Sequence, residues 1–313
     1  EVPGQTVNRY CSSGLQTIAH AANQIIADQA DVIVAGGIEL MSAVPMGGNE
    51  PTNNPILQDE DSGVSYPMGL TAEMVAETYH VSREDQDAYA VQSHQRAAEA
   101  QQSGKFDDEI IPIEVNQVTY DGNGPVVSKA VFKEDELIRP DTNKETLAKL
   151  PTVFKADGTV TAGSSAPLTD GSGFVVVMSG EKVKELGVEP IARFVGFKAV
   201  GVNPKLVGIG PAYAIPEVLE QANLDVNDID LVELNEAFAS QTLASMREVG
   251  LDAEKTNVNG GAIALGHPLG ATGAMLVGRL LSEMKKRPET RYGMVTMCIG
   301  VGMGAAGIFE YVR

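Results

Sequence analysis

The sequence predicts an α/β protein of two related halves, with a more polar, irregular segment inserted in the first. Three observations carry this. Short apolar runs at 32–35 and 174–178, the first ended by Gly36-Gly37, suit strands buried in a parallel sheet. Leu15, Ile18, Ala19, Ala22, Ile25 and Ile26 form a stripe with the 3.6-residue period of an amphipathic helix. One order of elements also recurs. Thr6-Val7-Asn8, a turn, a helix, an apolar strand and Gly-Gly is echoed by Asn257-Val258-Asn259-Gly260-Gly261, a turn, a helix, an apolar strand and a glycine. Each copy closes with a further strand, at 174–178 and 307–311. Two such halves packed together would bring both turn segments to one interface.

The elements follow in order. The first stretch reads as a strand at 4–8, a turn, the striped helix and the strand at 32–35. The stretch 42–164 holds two helices. One begins near Leu70-Thr71-Ala72-Glu73. The other has Ser82 as its N-cap and Asp85 three residues on, then Tyr89, Ala90, Ala97 and Ala98, and stops at Gly104. Loops such as Tyr120-Asp121-Gly122-Asn123-Gly124 come next, and polar loops of this length inside an α/β protein usually carry function. The α/β pattern then returns: a strand at 174–178, a helix at 216–222, a strand at 231–234, a helix, a strand at 256–259, a helix at 273–284, and strands at 292–297 and 307–311.

Composition narrows the class. The 313 residues suffice for about two domains. The formal net charge of −19 argues against a nucleic-acid phosphate footprint. No run of 18 apolar residues marks a membrane span. The two cysteines lack CxxC spacing, so neither a zinc site nor a disulfide framework is expected, and free thiols suit a cytoplasmic setting. The C-terminus, Glu310-Tyr311-Val312-Arg313, is not a Ser-Lys-Leu address.

Four segments carry candidate chemistry. Cys11 sits where a strand should give way to a helix, and Ser12, Ser13 and Gly14 offer backbone N–H groups there. A helix N-terminus lowers a thiol's pKa and favours the thiolate; a buried structural cysteine would read the same way. His267 lies in Gly266-His267-Pro268-Leu269-Gly270, a tight loop before a helix, where an imidazole can serve as a base. His20, His80 and His94 fall on helices or helix ends and read as solvated or packed. Cys298 precedes Gly300, Gly302 and Gly304, which let backbone N–H groups approach a ligand or simply pack a strand turn. Asn235, ahead of Glu236-Ala237-Phe238, is either a helix N-cap or an amide that holds a water in an oxyanion hole.

Taken together these segments resemble the thiolase family. The resemblance rests on Cys11-Ser12-Ser13-Gly14, Asn235-Glu236-Ala237-Phe238, the run 260–270 ending in Gly266-His267-Pro268-Leu269-Gly270, and Cys298-Ile299-Gly300. Thr161-Ala162-Gly163 and Met68-Gly69 with Thr71-Ala72-Glu73 add to it. It implies a thiolase fold of two pseudo-repeated five-layered α/β/α/β/α domains: 1–41 plus 165–188, and 189–313, with 42–164 a loop domain over the coenzyme A site. It implies Cys11 as the acylated nucleophile, with His267 activating it and helping to bind the thioester oxygen. Cys298 would exchange the Cα proton. Asn235 would hold a water that completes one oxyanion hole with His267, and the N–H groups of Cys11 and Gly300 would form the other. For coenzyme A it points to Met68, Arg139, Thr146, Phe154, Ala162, Ser165 and Phe238; a family serine that contacts the pantetheine falls at Ala166, beside Ser165. Acyl-CoA and coenzyme A enter as substrates, with no metal or resident cofactor. A homodimer or homotetramer is implied, without nucleic-acid or membrane partners.

Pro67 before Met68-Gly69 favours the 3-ketoacyl-CoA thiolases over acetoacetyl-CoA-forming relatives, which often carry histidine there. A ketoacyl synthase would show histidine in place of Cys298. The family carries about 80 more residues before its nucleophile, so the first half is expected to lack part of its sheet and to show unpaired edges and bare apolar faces. An inactive fragment that binds coenzyme A or assists assembly is the remaining alternative.

Overall fold

The computed structural model describes residues 2–52, 54–60, 62–122 and 124–313. Asn123, in the loop expected at 120–124, lies outside the described residues. The first half contributes α1 (Ser13–Ile26), entered through a 3₁₀ turn at Tyr10–Ser12, and β1 (Val32–Leu40). The insertion holds α2 (Pro55–Glu60), α3 (Met68–Thr78), α4 (Arg83–Gln102), β2 (Ile113–Tyr120), β3 (Pro125–Phe132) and α5 (Lys144–Leu147). β4 (Asp170–Met178) returns to the first half, and α6 (Gly180–Leu186) leads to the second. There follow β5 (Ala192–Gly201), α7 (Gly210–Ala222), β6 (Ile229–Leu234), α8 (Ala239–Val249), α9 (Ala262–Leu265), α10 (Leu269–Lys286), β7 (Tyr292–Ile299) and β8 (Met303–Tyr311).

The repeat is real in space. α1 leads to β1, which pairs antiparallel with β4; α10 leads to β7, which pairs antiparallel with β8. β5 and β6 flank the latter pair in the order β5-β8-β7-β6, with only β6 and β7 parallel. The two long helices lie between the sheets. Leu15 and Ile18 of α1 and Leu276, Val277 and Leu280 of α10 share one core with Ala35 of β1 and Val295, Met297 and Ile299 of β7. The other face of the four-stranded sheet buries Met294 and Ile308 against Ile215 and Val218 of α7 and Met246 of α8. Gly14 and Gly273 permit the close crossing of α1 and α10. A Cβ on Gly14 would stand 2.5 Å from the backbone nitrogen of Ala274, and one on Gly273 would meet that of Leu15.

Several expectations change. The runs 32–35 and 174–178 do not form a parallel sheet buried on both faces. They belong to one antiparallel ribbon with register Val32–Met178 to Leu40–Asp170, and it continues through Gly36-Gly37. Its inner residues face α1 and α10, while Val34, Ile38, Phe174 and Val176 are exposed on the outer face. These four side chains give the ribbon an apolar outer face. Residues 4–8 are not a strand among the described residues; the Asn8 side chain accepts the Tyr10 N–H and turns the chain instead. Residues 256–259 are also not a strand. Thr256 makes a single bridge to Val232, and then the Asn257 side chain replaces the ladder, accepting from Leu234 N–H and donating to Leu234 C=O, each at 2.8 Å. The helix expected at 216–222 begins at Gly210, with Pro211 in its first turn, where a missing N–H costs nothing. Residues 113–132 form an antiparallel ribbon around the expected loop, almost wholly exposed and therefore without an apolar alternation to announce it.

Ser82 caps α4, accepting the Asp85 N–H at 3.1 Å, and Gly104 takes a left-handed φ of 71° just past its end. His94 on α4 is buried, while His20 is half-buried and His80 exposed. No helix among the described residues is long and apolar enough to cross a membrane.

Candidate active site

The two turn segments meet. Cys11 opens α1, His267 stands two residues before α10, and Cys298 lies near the end of β7; all three line one cavity of about 570 Å³. Gly300, Met68, Phe238 and Ala166 line it too. The cavity runs from the sheet ends under the inserted segment, which supplies Met46, Leu57 and Tyr66.

Cys11 follows Tyr10, whose φ of 46° is unusual for a bulky side chain and turns the chain sharply into the helix. The Ser12 and Ser13 N–H groups are spent on the carbonyls of Arg9 and Tyr10, so they are not free as expected. The backbone N–H groups of Gly300 and of Cys11 itself are directed at the thiol. The helix end does not yield a thiolate. Burial pushes the Cys11 thiol up to about 11, outweighing both N–H donors. Burial, with the neighbouring Cys11, drives Cys298 higher still, well above the ordinary thiol range.

His267 is buried, and burial brings its pKa down to about 4. Its Nδ1 lies 2.7 Å from the hydroxyl of Thr272, which itself donates to the Pro268 carbonyl at 2.9 Å. With its one proton spent there, that hydroxyl can only accept from His267, so the ring carries its proton on Nδ1 and keeps Nε2 as a base. Nε2 lies 3.3 Å from Nδ2 of Asn235. Asn235 directly follows β6, its N–H bound to Thr296 C=O at 3.0 Å, and the next helix begins only at Ala239, so Asn235 is not a helix N-cap. Gly266, at φ 94°, admits no side chain because a Cβ would run into Thr169, whose hydroxyl accepts the His267 N–H at 3.3 Å.

The residues expected to bind coenzyme A divide. Met68 and Phe238 line the cavity, and Phe154 stacks edge-on behind Phe238, with ring centroids 6.0 Å apart. Arg139, Thr146, Ala162 and Ser165 are not among the lining residues. Arg139 is exposed and gives its N–H to His94 Nδ1; Thr146 is exposed and completes the Asn143 cap of α5. Ser165 donates its hydroxyl to Thr161 C=O at 2.7 Å. Glu73, in one sequence motif, accepts the N–H groups of Thr159 and Val160, the two residues just before Thr161-Ala162-Gly163.

Sequence reasoning passed over Thr272, whose signal was its place five residues after His267, one helical turn into α10. It also named Glu236 without a role. This carboxylate is buried among Tyr89, Ser93, Asn257 and Ile263.

A buried thiol met by two N–H groups, an oriented imidazole and a second thiol in one cavity define a site for covalent acyl transfer. Comparison with known proteins agrees. The family described as Thiolase, N-terminal domain, matches residues 1–181, and Thiolase, C-terminal domain, matches 188–311. The 3-ketoacyl-CoA thiolase of Bacillus subtilis is 53% identical over 311 residues, covering 99% of this chain and 79% of that protein. Human mitochondrial 3-ketoacyl-CoA thiolase in complex with CoA superposes with a TM-score of 0.87 at 42% identity, over 98% of this chain and 77% of that one. The dimeric peroxisomal thiolase of Saccharomyces cerevisiae gives 0.88 at 40%, over 98% and 75%. The chain belongs to the thiolase family of acyltransferases.

Proposed function

We propose that the chain cleaves 3-ketoacyl-CoA by thiolysis, through an acyl group carried on Cys11. The observation that carries this reading is the convergence of Cys11, His267, Cys298 and Gly300 on one cavity, with the His267 tautomer fixed by Thr272. Thiol and imidazole rest neutral, since burial raises one pKa and lowers the other. The Cys11 proton therefore passes to Nε2 as sulfur attacks the 3-keto carbon. The N–H groups of Cys11 and Gly300 receive the resulting oxyanion. The C2–C3 bond breaks, and its electron pair forms the enolate of acetyl-CoA. Cys298 protonates that enolate at carbon, while His267 and a water held by Asn235 receive the enolate oxygen. Coenzyme A then gives its thiol proton to the Cys298 thiolate and attacks the acyl-Cys11; the departing Cys11 sulfur takes its proton back from His267 Nε2, and an acyl-CoA two carbons shorter is released. Each proton has a place in the chain's own residues, and the cycle calls on no metal or redox cofactor.

The apolar walls at Met46, Leu57 and Leu168 support 3-ketoacyl chains longer than acetoacetyl, in line with Pro67 before the Met68 segment. The dimeric peroxisomal thiolase of Saccharomyces cerevisiae supports a homodimer as the working form, and the two free thiols suit the cytoplasm. The test is intact-mass spectrometry after incubation with 3-ketoacyl-CoA of several lengths. An acyl adduct on Cys11 is expected in the parent and none in Cys11→Ser. A Cys11→Ser protein with parental turnover would sink the proposal.

A further inference from the structure

Glu236 stands beside Asn235, is 1% exposed, and faces four hydrogen-bond donors. Oε1 accepts from the Tyr89 hydroxyl at 2.9 Å and from Asn257 Nδ2 at 3.0 Å. Oε2 accepts from the Ser93 hydroxyl at 2.6 Å and from the Ile263 N–H at 3.1 Å. Tyr89 and Ser93 belong to α4 of the inserted segment. Ile263 lies in α9, four residues before His267. One carboxylate thus touches the segment that carries Asn235, the segment that carries His267, and the inserted segment that roofs the cavity.

The chain is shaped around this group. A Cβ on Gly261 would run into the carboxylate itself, and Gly260, at φ 77°, lies against the Ser93 carbonyl. The hydroxyl protons are committed as well. The Tyr89 oxygen also lies 3.2 Å from Asn257 Nδ2 and accepts from it, and the Ser93 oxygen accepts from the Gly261 N–H at 3.2 Å. Both hydroxyls therefore spend their protons on Glu236, and only an acceptor at both oxygens completes the set. Burial raises the pKa of this carboxyl, and the four donors oppose the rise.

We infer that Glu236 is a positioning residue that sets the Asn235–His267 pair, and through Tyr89 and Ser93 ties that pair to the inserted segment over the coenzyme A cavity. The inference rests on the thiolytic reading above. It assigns to Glu236 the enolate step, which needs both His267 and the water held by Asn235, more than the acylation of Cys11, which needs His267 as base and the N–H groups of Cys11 and Gly300 but not the Asn235 amide.

Glu236→Gln keeps the shape and tests this. Whichever oxygen becomes the NH₂, it meets a backbone or amide N–H that it cannot accept. Two rates are read on folded protein: acyl transfer from an acyl-CoA onto Cys11, and cleavage of the 3-ketoacyl carbon–carbon bond. Cleavage is expected to fall about tenfold or more, on the scale of a displaced oxyanion-hole donor, while acyl transfer falls much less. Loss of both rates in equal proportion, or of neither, overturns the inference. Should Glu236→Gln not fold, Tyr89→Phe, which removes one donor and keeps the charge, is read in the same way, with a smaller shift of the ratio in the same direction. Failure of the thiolytic reading looks different, because the parent protein would then show neither rate.

Discussion

The four-stranded sheet and the β1–β4 ribbon are written in much the same residues and end in different surroundings. Val295, Met297 and Ile299 of β7 are buried against α1 and α10, and Met294, just before them, is buried on the opposite face. In the ribbon, Ile33, Val175 and Val177 meet the same two helices, yet Val34 is 67% and Val176 58% exposed. A continuous apolar run thus states that both faces of a strand can be covered, not that they are. Only the neighbours decide. The candidate site crosses this divide: Cys11 comes from the half with the ribbon, whereas His267, Cys298, Gly300 and Asn235 come from the half with the four-stranded sheet.

The largest effect should separate the two cysteines. Cys298→Ala is expected to accept an acyl group on Cys11 and yet lose carbon–carbon cleavage by at least about 10⁴-fold, as for other members of a catalytic unit. Equal loss of both activities would place Cys298 with the nucleophile rather than with the proton. Next come the sheets. Ile308→Ala, in the buried core of β8, should cost about 2–5 kcal/mol in chemical denaturation. Val176→Thr, on the outer face of β4, should change stability by no more than about 0.5 kcal/mol. Similar costs for the two would show that the outer face is covered in solution.

A further effect is a pH dependence that belongs to the second half. His267 has its pKa lowered to about 4 in the folded state. Unfolded imidazole takes up its proton near the ordinary value of about 6.5, so the unfolded chain binds more protons between these values. The contribution of His267 is complete above the upper value and is lost as pH falls toward the lower one, up to about 3 kcal/mol. Denaturation midpoints at pH 7 and pH 4.5, compared with those of His267→Gln, should show a steeper fall in the parent. Parallel curves would mean that the ring is wetter than its burial indicates.

What the sequence disclosed and what it hid follow from range. Ser82, the α1 stripe and Gly266 act within one turn of chain, and the sequence reads them at sight. The convergence of Cys11, His267 and Cys298 was legible through resemblance and through the repeated order of elements, both of which carry long-range information. Strand β5 was missed because Gly196 and Gly201 break its pattern and Arg193 and Lys198 dilute it. The false strand at 256–259 failed because a side chain, Asn257, does the work of a ladder. The neutral state of Cys11 was hidden for another reason. A helix end is visible in sequence, whereas the desolvation that overrides it depends on everything packed around the thiol.

The crossing of α1 and α10 at Gly14 and Gly273 has a consequence for tolerance. Gly14 lies three residues beyond Cys11, and Gly273 six beyond His267. At this point the backbones are separated by little more than hydrogen atoms. A methyl group at either glycine would act as a shim, prising Cys11 from His267 while the bulk of each half kept its own core. The spacing of Cys11 and His267 is gauged by the two smallest residues at the joint, and on the proposed reading a change of one carbon there would be felt as lost turnover before it was felt as lost structure.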